Sequence, residues 1–141
     1  MLYFKVVSMQ MNQVNGRKVA LFIDDDPSFL KVMEKAVQHP RFFIRTYQVS
    51  SGYKVIDEII KIKPDVLFID FCSTGTSNSQ ILFILRAVQG LAQLKIYLVT
   101  GYSKDDIKQF LSGFDLEHVL VKDESLKIKI LSVLDKIANA A

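Results

Sequence analysis

Residues 18–30, KVALFIDDDPSFL, carry the reading from which the fold follows. Val19 to Ile23 form an apolar run with no alternation of polar and apolar positions, the pattern of a strand buried on both faces, as in a parallel sheet covered by helices on each side. The run ends in Asp24, Asp25 and Asp26, and Pro27 and Ser28 follow. Asp26 is placed to cap a helix whose first turn holds Pro27, because a short carboxylate accepts from the unpaired N–H groups there and Pro has none to lose. Phe29, Leu30, Met33, Ala36 and Val37 then recur at the three- and four-residue spacing of an amphipathic helix. Strand, turn and helix make one βα unit.

The same unit occurs five times from Lys18 onward. The strand runs are Val19–Ile23, Phe42–Tyr47, Val66–Ile69, Ile96–Val99 and Val119–Val121. The second, flanked by Arg41 and Arg45, reads as an edge strand. Helical spacing follows in Val55, Ile56, Ile59 and Ile60; in Ile81, Leu82, Leu85 and Val88; in Ile107, Phe110 and Leu111; and in Leu126, Ile130, Val133, Leu134 and Ile137. Right-handed crossovers between parallel strands lead to a doubly wound α/β domain with a five-stranded parallel sheet in the order 2-1-3-4-5.

Composition agrees and narrows the class. A chain of 141 residues has room for one domain, and with half its residues hydrophobic, 23% charged, six Gly and three Pro it is neither disordered nor low in complexity. The net charge of +3 is spread along the chain, so it marks neither a nucleic-acid partner nor a membrane surface. The longest apolar run falls far short of the ~20 residues of a membrane helix, and the single Cys72 suits a reducing compartment, so the expected location is cytoplasmic. Residues 1–17 stand apart as an N-terminal extension before a domain over 18–141: Met9 and Met11 are each an alternative start, and Leu2 to Val7 reads alternatively as an extra strand or arm.

In such a sheet the functional crevice lies outside the carboxyl ends of the strands, at the reversal of strand order between strands one and three. Those ends carry Asp24, Asp25 and Asp26, then Asp70, Thr100 and Lys122. Several carboxylates gathered on one edge repel each other unless a cation sits among them. With oxygen ligands and no His or Cys cluster, that cation is Mg²⁺ or Mn²⁺, which takes one or two carboxylates, waters and a phosphate oxygen. A hydroxyl and an ammonium beside it make the electrostatic clamp of phosphoryl transfer, and a carboxylate can itself be the nucleophile.

At this point the sequence resembles the receiver domain of two-component response regulators, of the single-domain type. The resemblance covers Lys18 to about Ala138 and rests on the acidic pair in VALFIDDDPSFL, Asp70 in PDVLFID, Thr100 in IYLVTGYS and Lys122 in HVLVKDES. It implies a flavodoxin-like (βα)5 fold and a signalling domain that is not an enzyme on free substrates. By the resemblance, Asp70 accepts a phosphoryl group from a histidine kinase. Asp24, Asp25 and Asp70 hold Mg²⁺ with the backbone carbonyl of Cys72, Asp25 directly and Asp24 partly through water. Thr100 bonds one phosphoryl oxygen and Lys122 pairs with another. The implied partners are a histidine kinase or phosphotransfer protein and a downstream effector, with no direct contact to nucleic acid or membrane.

The chain also departs from the family. Thr74 and Asn78 stand where Pro and Gly are usual, Asp123 replaces the Pro after the Lys, and Val119 replaces the aromatic switch residue three positions before it. These departures motivate an alternative, a receiver-like interaction module that phosphorylation does not switch. A remote alternative is a phosphatase of the haloacid-dehalogenase type, whose opening motif Asp24, Asp26 and Ser28 approximate. Cys72 and Tyr102 occupy the positions that tune phosphoryl hydrolysis in the family, and a Tyr ring there predicts a long-lived phosphoryl state. Cys72 reads as a small buried hydrophobe, His39 and His118 as structural, and strand alternation puts His118 on the face opposite Val119. The last helix, with Leu126, Ile128, Ile130, Leu131, Val133, Leu134 and Ile137, has more apolar positions than one core stripe needs; a homodimer through it and simple core burial both account for the surplus.

Overall fold

The structure is a computed structural model that describes residues 16–50, 52–70, 93–109 and 116–140. In chain order these residues form β1 (Lys18–Asp24), α1 (Pro27–Ala36), β2 (Phe42–Gln48), α2 (Gly52–Ile62), β3 (Val66–Asp70), β4 (Lys95–Thr100), a short helix α3 (Lys104–Lys108), a 3-10 turn (Leu116–His118), β5 (Val119–Val121) and α4 (Leu126–Asn139). The five strands make one sheet in the order β2-β1-β3-β4-β5, and every pairing is parallel. Each predicted apolar run is a strand, and the run that follows Arg41 and contains Arg45 is the edge strand β2. The predicted helix around Ile81–Val88, and Phe110 and Leu111, lie outside the described residues.

Alternation along the central strands sorts the core into two layers. Leu21, Ile23, Leu67, Ile69, Ile96 and Leu98 face Val55 and Ile59 of α2 and Ile107 of α3. Ala20, Phe22, Val66, Phe68 and Val99 face Leu30 and Met33 of α1 and Leu126, Ile130 and Leu134 of α4. Between their ends, Ala20–Ile23 of β1 and Val66–Ile69 of β3 therefore have no solvent face, which is why both stretches are apolar at every position. Burying side chains such as Phe22 and Phe68 contributes about 1.5–3 kcal/mol each.

On the second layer a row of rings crosses the strands. Phe22 stacks on Phe68 at 4.7 Å, Phe68 on Tyr97 at 5.6 Å, and Tyr97 on His118 at 4.5 Å. Register puts them there, since Phe22 is opposite Phe68 and Phe68 opposite Tyr97. His118 therefore shares a face with Tyr97, while Val119 is buried in the other layer, as the alternation predicts. His39 is tied down as well: its Nε2 lies 2.8 Å from Asp135 Oδ1 of α4, and its Nδ1 accepts from the Arg41 N–H.

Most of the apolar surplus of α4 goes into the core. Leu126, Ile130, Leu134 and Ile137 are buried, and Leu131 and Val133 pack against that layer; Ile128 stands out in solvent. At the opposite edge of the sheet from the acidic residues, Asp65 staples β1 to the start of β3: Val19 N–H donates to Asp65 Oδ2 at 2.7 Å and Asp65 N–H donates to the Val19 carbonyl at 2.8 Å.

Candidate functional site

Parallel register sets the site. Ile23 is opposite Ile69, so the next residues, Asp24 and Asp70, leave β1 and β3 at the same level. Val99 is opposite Asp70, so Thr100 ends β4 one residue beyond, and Thr100 is opposite Val121, so Lys122 follows on β5. Carboxylate oxygens of Asp24, Asp25 and Asp70 lie within 4.8 Å of one another.

Asp24 is 1% exposed, and both its oxygens are engaged. Oδ1 accepts from the Asp26 N–H at 2.9 Å, and Oδ2 accepts from Lys122 Nζ at 2.8 Å. The same Nζ donates to Asp70 Oδ2 at 3.2 Å and sits 4.3 Å from the centre of the Phe29 ring. Asp26 is the helix cap: its side chain accepts from the Ser28 N–H at 2.9 Å, and Pro27 opens α1. It is not one of the three clustered carboxylates. Thr100 is fully buried, and its Oγ1 accepts from the Tyr102 N–H at 3.0 Å, while the Tyr102 side chain is exposed. Cys72, Thr74 and Asn78 lie outside the described residues.

The electrostatics follow from three clustered carboxylates and one ammonium bonded to two of them, Asp24 and Asp70. The Asp25 carboxyl is held above the ordinary carboxylate value, first by its hydrogen bond with the Asp24 side chain, then by partial desolvation and the charges of Asp24 and Asp70. For Lys122, partial burial is the largest single influence and pulls the ammonium down. The Asp24 hydrogen bond and the charges of Asp70 and Asp24 together outweigh it, so the net shift is upward. Asp123, next to Lys122, does not compete for it. Its carboxylate accepts from the Ser125 N–H at 2.9 Å and the Ser125 hydroxyl at 2.6 Å, bonds that hold it below the usual carboxylate range.

The donor set fits a hard divalent cation. All the candidate ligands are oxygen, and one ammonium against three carboxylates leaves the cluster net negative. Sequence reasoning assembled Asp24, Asp25, Asp70, Thr100 and Lys122 on one edge and assigned Phe29 only to the core. The signal for Phe29 was its place in the first turn of the helix that leaves the acidic strand end.

A CheY-like response regulator receiver domain from Methylobacillus flagellatus superposes with a TM-score of 0.66 at 21% identity, covering 86% of this chain and 98% of the other. The fold is that of a receiver domain. The signal receiver domain of a DNA-binding response regulator from Colwellia psychrerythraea matches with a TM-score of 0.66 at 19% identity, over 84% and 98% of the two chains. The chemotaxis response regulator CheY4 of Vibrio cholerae matches with a TM-score of 0.65 at 17% identity, over 86% and 98%. No protein-family model and no curated protein matches the sequence. Among the described residues of this receiver fold, no helix is long and apolar enough to cross a membrane.

Proposed function

We propose that this chain is a phosphoacceptor of a two-component phosphorelay, and that its site works as follows. The observation that carries the reading is the cluster itself: Asp24, Asp25 and Asp70 within 4.8 Å, with Lys122 Nζ bonded to Asp24 and Asp70 at once. Asp70, at the end of a buried strand, is the nucleophile. Its carboxylate oxygen attacks the phosphorus of a phosphohistidine on a kinase or phosphotransfer protein. The P–N bond breaks, its electron pair stays on the imidazole nitrogen, and an acyl phosphate forms on Asp70. Asp24, Asp25 and Asp70, with the backbone carbonyl of Cys72, would hold Mg²⁺ or Mn²⁺, which supplies positive charge to the phosphoryl oxygens when bound.

Lys122 neutralises a second phosphoryl oxygen, and the Thr100 hydroxyl donates to a third. On this reading residues 18–141 are the receiver domain, residues 1–17 an arm, and the location cytoplasmic. The signal leaves by contact with an effector protein, since phosphorylation biases a two-state surface.

Phosphotransfer to the wild type and to Asp70→Asn, with and without Mg²⁺, tests the reading: label on the wild type only, and only with the metal, is the expected result. One observation favours a second reading, an interaction module that phosphorylation does not switch. Val119, at the position of the aromatic switch, is fully buried in the core. Beryllofluoride with Mg²⁺ separates the two: amide shifts spreading from the site support the switch, and a silent spectrum at saturation supports the module. The phosphatase reading gains nothing from Asp26, whose carboxylate caps α1.

A further inference from the structure

The Lys122 side chain is 24% exposed, so on its own its four-carbon stem has room to swing away from the carboxylates. Two of its contacts are anionic, Asp24 Oδ2 and Asp70 Oδ2; the third is the Phe29 ring, 4.3 Å from Nζ, within the range at which a ring face attracts a cation. We propose that Phe29 is a positioning residue that holds the Lys122 ammonium over Asp24 and Asp70, and so sets how well that ammonium meets a phosphoryl oxygen. Phe29 is itself fixed from both sides. Asp26 caps α1 and Pro27 opens it, which places Phe29 in the first turn above the acidic edge, and the ring packs against the core layer of Leu30 and Met33.

The ring has a task that an aliphatic side chain cannot perform. A Leu at this position fills space, but it has no quadrupole to hold a cation, and Lys122 then depends on the two carboxylates alone. Once Asp70 carries a phosphoryl group, its charge is redistributed and one of those anchors changes identity. The ring does not change, so it keeps the ammonium in reach of the new oxygens. This role rests on the phosphoacceptor reading given above.

The test compares wild type, Phe29→Leu and Phe29→Tyr, each first shown to be folded by its amide spectrum. In the wild type the Lys122 ε-methylene protons should resonate upfield, shielded by the ring; Phe29→Leu should return them to the ordinary lysine position, and Phe29→Tyr should keep them shielded. With a small-molecule phosphodonor and Mg²⁺, Phe29→Leu should slow phosphorylation of Asp70 by about fivefold, the size of one partly desolvated cation–π contact, and Phe29→Tyr should restore the rate. A folded Phe29→Leu that matches the wild-type rate overturns the proposal, and so do unshielded Lys122 protons in the wild type. Absence of phosphorylation in the wild type instead removes the phosphoacceptor reading and this role with it, so the two failures are told apart.

Discussion

Replacing Lys122 with Met keeps most of the aliphatic stem and deletes the ammonium on which the acidic edge depends. Asp24 is 1% exposed and Asp70 12%, so both carboxylates lose their cation in a setting where water cannot fully compensate. Removing one partner of a fully buried ion pair costs about 3–5 kcal/mol. Two features reduce that figure here: Lys122 is 24% exposed, which lets water refill its place, and Asp24 Oδ1 keeps its bond from the Asp26 N–H. Loss of the Phe29 contact adds about 0.5–1 kcal/mol. The net cost should be about 2–4 kcal/mol in a metal-free, low-salt buffer at neutral pH, which for a domain of this size lowers the melting temperature by roughly 10 °C.

Thermal unfolding followed by circular dichroism measures it. Because the penalty comes from clustered carboxylates that have lost a counter-charge, it should shrink as added salt screens their repulsion. Mg²⁺ should recover more stability in Lys122→Met than in the wild type. A melting temperature within about 2 °C of the wild type at neutral pH would mean that the ammonium does not hold this edge together. A full deficit that persists unchanged at high salt would assign the loss to packing instead.

Other perturbations have outcomes fixed by the same geometry. The Asp25 carboxyl has a folded-state value above its unfolded one, so its contribution to stability is complete below the ordinary value of 3.8 and is lost as pH rises through the raised value. Asp25→Asn should therefore stabilise the metal-free protein at neutral pH and low salt by a few tenths of a kcal/mol, fading in acid, and should lose the stabilisation that Mg²⁺ gives the wild type; denaturant melts with and without the ion check both. Lys63 follows the last residue of α2 with φ of 54°, a left-handed conformation that costs a side chain about 1–2 kcal/mol, so Lys63→Gly should raise stability by about 0.5–1 kcal/mol after the entropy of the freer unfolded chain is subtracted. Tyr102→Ala should speed loss of phosphate from phosphorylated Asp70, since the ring leaves the position two beyond Thr100; equal release rates in the two proteins would remove the shielding role.

The strands and the acidic edge were legible because each rests on a pattern that survives without tertiary information. Apolar runs such as Val19–Ile23 and Val66–Ile69 have no polar face to misassign, and the order rule for five βα units then brings Asp24, Asp70, Thr100 and Lys122 to one edge. His118 was placed correctly by strand alternation alone. Two details were not legible. Adjacency in sequence puts Asp123 beside Lys122, but an Asp two residues before Ser125 makes a local turn with that residue, and the turn draws its carboxylate away. Phe29 was indistinguishable from a core residue, because periodicity reports which side of a helix is apolar and not what else that side meets at its end.

The row Phe22, Phe68, Tyr97 and His118 has a mechanical meaning. Each ring is carried by a different strand or its approach, so sliding β1, β3 or β4 past its neighbour would break face-to-face contacts worth about 0.5–1.5 kcal/mol apiece as well as the backbone ladder. The centre of the sheet thus behaves as a stiff plate. A chemical event at its acidic edge cannot be transmitted by shearing that plate, and any change of shape has to be expressed in the segments hinged to its rim.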